Sequence, residues 1–122
     1  MTRQIDFAGQ SGQTYRYKAL EDLRPLSPGG GNFLYVRGRP SGQPTVLYAG
    51  ETDSLQRGVL DRWPEAQSSH GATDIYVRLN FSGDVRRTEQ ADLAEKHAPP
   101  MNGDGGGAPT AGPGKKRTTR GA

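Results

Sequence analysis

Tyr35 and Tyr48 sit in two short apolar runs, Phe33-Leu34-Tyr35-Val36 and Val46-Leu47-Tyr48-Ala49-Gly50, and the second run breaks directly into Glu51-Thr52-Asp53. In an extended chain alternate residues share a face. Phe33, Tyr35 and Arg37 therefore point one way, Val46, Tyr48 and Gly50 share a face of theirs, and the two phenols can converge. Gly50 admits close approach of a ligand or another backbone, and a helix start after Thr52 offers unpaired N–H groups to a phosphate. Downstream, Arg57 or Arg62 supplies a cation, Glu89 a carboxylate and Asn102 an amide. A free tyrosine ionises near pH 10, so a phenol acting as base needs a cation beside it.

These residues must be positioned by few elements, because 122 residues make one small domain with a modest core. Ile5-Asp6-Phe7 and Tyr15 to Leu20 alternate in character around the turn-rich Gly9 to Gln13, which predicts a β-hairpin. Pro25 to Gly31 reads as a loop. The tyrosine runs then form a second hairpin across Gly38 to Pro44, placed centrally in the sheet. Asp53 and Gln56 mark a capped helix start, with Leu55, Val59, Leu60 and Trp63 as the apolar stripe and Pro64 as the stop. After a Ser-Ser-His-Gly loop, Asp74 to Phe81 alternates as a strand, and Val85 to His97 reads as a helix ended by Pro99-Pro100. The order hairpin, hairpin, helix, strand, helix predicts an α+β fold: a small mixed or antiparallel sheet with two or three packed helices.

Composition divides the chain at Asn102. Residues 1–102 hold 12 Lys/Arg and 12 Asp/Glu and form the expected folded domain. From residue 103 to 122 the sequence is rich in Gly and Pro with no large apolar side chain, which predicts a disordered tail. The net charge of +3 comes from Lys115, Lys116, Arg117 and Arg120 against Asp104. With no cysteine, disulfides and thiolate zinc sites are excluded, so a bound metal would have oxygen ligands. Met1-Thr2-Arg3-Gln4 leads into no apolar segment and nothing has the length of a membrane span, which sets the expectation of a cytoplasmic protein with no membrane partner.

Residues 33–102 resemble a GIY-YIG nuclease domain. Phe33-Leu34-Tyr35 stands where the first signature belongs, without its glycine. Tyr48-Ala49-Gly50-Glu51-Thr52 is similar to the second, Y-I-G-x-T. Leu55 and Arg57 follow, then Arg86-Arg87-Thr88-Glu89 leading to Asp92-Leu93, and Pro99-Pro100-Met101-Asn102 is like the P-P-x-N ending. The resemblance implies DNA phosphodiester hydrolysis with one divalent ion, Mg²⁺ or Mn²⁺, held by Glu89. Tyr35 and Tyr48 would assist the attacking water, and Arg57 or Arg62 would neutralise the phosphate. Gly50 and Thr52 would contact substrate, and Asn102 would tie the terminal segment to the site. Such a metal acts as Lewis acid while preorganised cations stabilise the transition state.

Three positions leave alternatives. Phe33 replaces a glycine, and spacing from Tyr48 puts the family's arginine on Gly58, between Arg57 and Arg62. Spacing from Asn102 puts the metal ligand on Gln90, whose neutral amide would hold Mg²⁺ poorly. Structural roles also compete: an ion pair of Arg57 with Asp61, one of Glu89 with Arg86, and plain packing for the tyrosines. The first functional expectation is a metal-dependent endonuclease. The second is a catalytically degenerate module of the same fold that binds nucleic acid or protein without cleavage, and the third is an unrelated α+β interaction module. With no second domain to choose a target, target choice is expected to come from a protein partner or to be loose.

Overall fold

The computed structural model describes residues 3–21 and 28–103. Its elements are β1 (Gln4–Ala8), β2 (Thr14–Ala19), β3 (Gly31–Arg37), β4 (Thr45–Thr52), α1 (Leu55–Gly58), α2 (Trp63–His70), β5 (Asp74–Leu79) and α3 (Gly83–His97). The strands form one antiparallel sheet in the order β1-β2-β5-β3-β4. The fold is therefore α+β, as the element order predicts. Part of the expected Pro25 to Gly31 loop (25–27) and the expected tail from 104 onward lie outside the described residues.

β2 shows the strict alternation of a half-buried strand, with Tyr15, Tyr17 and Ala19 inward. Phe7 lies opposite Tyr15, and Ile5 opposite Tyr17. In β3 every residue from Gly31 to Val36 is buried, because strands flank it and helices cover both its faces. Its partner β4 lies at the sheet edge rather than centrally. Tyr35 is opposite Tyr48 and Phe33 opposite Gly50, but the register then shifts and Val36 pairs with Val46. Leu47 is the extra residue of a β-bulge, and the bulge turns Val46 to the other face. The expectation that Val46 shares a face with Tyr48 and Gly50 fails for that reason.

Each face of the sheet has its own cover. Leu55 of α1, its C-cap Val59 and Ala66 of α2, with Met101 and the half-buried Trp63, pack on Phe33, Tyr35, Tyr48 and Ile75. On the opposite face Leu93 of α3 packs with Leu34, Val36, Val46, Ala49 and Tyr76, and with Phe7, Tyr15 and Tyr17 from the first hairpin. The sheet curls so far around α3 that Gln43, between β3 and β4, donates from Nε2 to the Asp6 carbonyl of β1 at 2.8 Å.

The segment after β4 differs most from expectation. Ser54, not Asp53, caps α1, its side chain accepting from the Arg57 N–H. The single helix drawn to Pro64 is two helices, because α1 ends at Gly58 and α2 begins at Trp63 with Pro64 in its first turn. A proline in a first turn gives up an N–H that has no helical partner there, so it starts this helix instead of stopping one. Ser68, Ser69 and His70, read as loop, are the last turn of α2, which closes on Gly71 at φ 71°. β5 ends at Leu79, short of Phe81, and Ser82 caps α3 ahead of Val85. Among the described residues no helix is long and apolar enough to cross a membrane.

Candidate functional site

Pairing of Tyr35 with Tyr48 across β3 and β4 stacks their rings with centroids 5.4 Å apart. Phe33 lies 5.5 Å from Tyr35 and 5.9 Å from Tyr48, and Trp63 meets Tyr35 edge-on at 5.2 Å. The hairpin thus brings the two phenols together under α1 and α2. Their surroundings differ. Tyr35 is fully buried, its hydroxyl donating to the Val59 carbonyl at 2.8 Å and accepting from the Arg62 N–H at 3.1 Å. Burial pushes its pKa up to about 12, the Arg62 N–H only partly offsetting that effect. Such a phenol is a poor proton acceptor. Tyr48 is half-buried, and its hydroxyl has no hydrogen-bond partner among the described residues.

Of the two arginine candidates, Arg62 reaches the tyrosines. Its guanidinium carbon stands 5.0 Å from the centre of the Tyr48 ring, Nη1 donates to the Met101 carbonyl at 3.2 Å, and Nε and Nη2 hold the Glu65 carboxylate at 2.9–3.1 Å. Cation–π contact and ion pair together hold it against Tyr48. Arg57 is exposed on α1, and its guanidinium makes no contact with Asp61 or the tyrosines among the described residues.

The expected phosphate cradle at Gly50 and Thr52 is filled by the protein itself. A Cβ on Gly50 would lie 2.4 Å from the Phe33 ring, so the glycine makes room for that ring. Thr52 Oγ1 donates to the Ser54 carbonyl and accepts the Ser54 N–H, both at 3.1 Å. A Cβ on Gly58 would meet Thr52 Oγ1 at 2.4 Å. Gly58 therefore lets α1 seat against β4. The α1 amides of Leu55, Arg57 and Gly58 are spent on Gly29 and Ser54.

Asn102 clamps the terminal segment to the outer edge of β4, its side chain accepting from Ala49 N at 2.7 Å and donating to Ala49 O at 2.9 Å. Met101 N donates to the Leu47 carbonyl exposed by the bulge. Gln90 reaches the same place, donating to Ala49 O at 3.0 Å.

Glu89 does not join this group. It shares the buried side of α3 with Leu93, which packs on the face opposite the tyrosine pair. Arg78 of β5 holds its carboxylate through Nε at 2.9 Å and Nη2 at 3.4 Å. The alternative partner Arg86 is committed instead to Glu51 at 2.9 Å and to the Asn80 and Phe81 carbonyls.

Around Glu89 and Arg78 the first hairpin assembles a polar layer that the sequence reading did not anticipate. Arg78 lies over the Tyr15 ring, with its guanidinium carbon 5.6 Å from the centroid, and the Tyr15 hydroxyl donates to Asp92 at 2.6 Å. Tyr17 is fully buried with its hydroxyl unpartnered among the described residues, and burial raises its pKa. Asp92 also accepts from Ser11 N and Oγ, contacts that hold its pKa below the usual carboxylate value. Period-two alternation in Tyr15/Tyr17 and Tyr76/Arg78 carried the signal for this layer.

The donor set does not fit Mg²⁺ or Mn²⁺. Among the described residues no three His, Cys, Asp or Glu side chains gather, and the one helix carboxylate proposed as ligand is occupied by a guanidinium across the sheet from the phenols. A hard divalent cation needs several oxygens in one place. No family model, curated protein or solved structure matches this chain.

Proposed function

We propose that this chain is a catalytically degenerate GIY-YIG-like module that engages nucleic acid without cutting it. One observation carries the absence of cleavage: Glu89 and the Tyr35/Tyr48 pair belong to opposite faces of the sheet. The committed hydroxyl of Tyr35, the Phe33 ring over Gly50 and the neutral Gln90 beside Asn102 support the same reading. The resemblance across residues 33–102 and the positive excess of the chain support nucleic acid as the partner. In this reading a protein partner supplies choice of target.

The test pairs binding with cleavage. Fluorescence anisotropy of labelled DNA should report binding that is unaffected by chelator. Supercoiled plasmid and branched DNA should remain intact with Mg²⁺ or Mn²⁺ at high protein concentration. Metal-dependent nicking that disappears in both Glu89→Ala and Tyr48→Phe would restore the nuclease reading.

A further inference from the structure

The chain has three asparagines, and only Asn102 is followed by glycine, whereas Asn32 and Asn80 each precede a phenylalanine. An asparagine side-chain amide is an electrophile for the main-chain nitrogen of the next residue, and a side chain on that residue shields the nitrogen. Glycine has none, and it leaves the backbone free to fold back on Cγ. The surroundings of Gly103 add to this. It is exposed, its N–H has no acceptor among the described residues, and a Cβ built on it would meet no heavy atom within 4 Å. Asn32, by contrast, is fully buried, its Nδ2 donating to the Arg86 carbonyl at 2.9 Å and its Oδ1 accepting from Asn80 at 3.1 Å.

The electrophile is the same group that seals β4. Asn102 Oδ1 accepts from Ala49 N and Nδ2 donates to Ala49 O, so Cγ is drawn across to the strand while both bonds last. Attack by Gly103 N requires the side chain to let go of Ala49, so the clamp sets the rate. We propose that Asn102-Gly103 is a self-modification site, at which spontaneous deamidation unfastens residues 102 and 103 from the edge of β4. Gly103 N bonds to Cγ, the Cγ–Nδ2 bond breaks, and ammonia leaves with the proton that the Gly103 amide gives up. Water then opens the cyclic imide at one of its two carbonyls to give aspartate or isoaspartate. In aspartate an oxygen that only accepts replaces Nδ2 and faces the Ala49 carbonyl. In isoaspartate the main chain continues from the former Cγ, so Gly103 stands where Nδ2 was. Gln90 still donates to that carbonyl, but the edge loses its two-point clamp and opens to a foreign strand. The site is independent of the nucleic-acid reading.

The experiment ages the full chain in mildly alkaline buffer, folded and in enough urea to unfold it, beside the full-length variant G103A, whose methyl meets nothing among the described residues. Peptide mass spectrometry reads the mass gain that marks exchange of an amide nitrogen for oxygen, and enzymatic methylation reads isoaspartate. Asn102 should be converted in the folded chain, about tenfold to a hundredfold more slowly than in urea, because two hydrogen bonds of ordinary net strength must open first. Asn32 and Asn80 should stay intact, and G103A should suppress the reaction in both conditions. The deamidated chain, separated by its added negative charge, should exchange the Ala49 amide hydrogen faster, with the β3 amides unchanged. Equal rates with and without urea would mean that the clamp does not govern the site. A folded chain that keeps Asn102 while the urea-treated chain is fully converted removes the site altogether, and unaltered Ala49 exchange after deamidation overturns the unfastening.

Discussion

Tyr48 and Glu89 lie on opposite faces of one antiparallel sheet, the phenol stacked on Arg62 beneath α2 and the carboxylate held by Arg78 beneath α3. This separation follows from pleating. Tyr48 pairs with Tyr35 and points with it, whereas Arg78 pairs with Asn32, one residue out of phase with Phe33 and Tyr35, and points to the other side.

Glu89 is therefore expected to matter for stability. Its side chain is 10% exposed and that of Arg78 30%, so Glu89→Ala strands a half-buried guanidinium. The expected cost is about 1–3 kcal/mol, read from urea denaturation, with no change in DNA binding. A thermally unaltered Glu89→Ala would mean that the pair contributes nothing.

The two tyrosine hydroxyls should separate cleanly. Tyr35→Phe removes both a donor to Val59 O and an acceptor for Arg62 N, and should destabilise by about 1–3 kcal/mol. Tyr48→Phe should stay within about 0.5 kcal/mol, as at a surface position. Equal effects would contradict the assigned environments.

Alkaline titration offers an independent check on Tyr35. Its folded pKa of about 12 exceeds the ordinary value, so the unfolded chain releases its proton first. The stability it contributes is complete below about pH 10 and declines as pH rises toward 12. Ultraviolet difference absorbance should show Tyr35 ionising only in that upper range, and a normal titration near pH 10 in the intact fold would refute it.

Gly50 and Phe33 should behave as one unit. Gly50→Ala places a methyl 2.4 Å from the Phe33 ring and should cost about 1–3 kcal/mol. Combined with Phe33→Leu, the penalty should be clearly less than the sum of the two single changes, and additivity in the double-mutant cycle would deny the contact.

Asp92 should make docking of the first hairpin sensitive to acid. Its folded pKa is depressed, first by the Ser11 hydroxyl and then by the Tyr15 hydroxyl and the Ser11 N–H. The stabilisation is present above the unfolded value of about 3.9 and is lost as pH falls through the folded one. Hydrogen exchange should show β1 and β2 losing protection in Asp92→Ala at neutral pH, as in the wild type at low pH.

The sequence made the strands legible because their alternation is strong. Thr14–Ala19 and Asp74–Leu79 carry it plainly, and the pairing of Tyr35 with Tyr48 follows from two apolar runs joined by a turn. Pro64 opens α2 where its sequence context predicts a stop, because a proline that opens a helix and one that closes it look alike without the cap. The bulge at Leu47 leaves no local signature, yet it decides where Val46 points. The side of the sheet reached by Glu89 depended on which face α3 covers, a long-range outcome set by Leu93 packing among Leu34, Val36 and Phe7. Helix periodicity placed Glu89 beside the buried stripe, and it gave no information about the layer that stripe would meet.

Both lateral margins of the sheet are sealed by side chains and by a short return of the chain. On β4, Asn102 and Gln90 occupy Ala49, and the Met101 N–H takes the Leu47 carbonyl. On β1, Gln43 takes the Asp6 carbonyl, while a His97 ring nitrogen meets that of Ala8. A foreign strand seeking to extend the ladder would first have to strip away these bonds, so the same contacts that fasten residues 101 and 102 to β4 also guard the sheet against edge-to-edge aggregation.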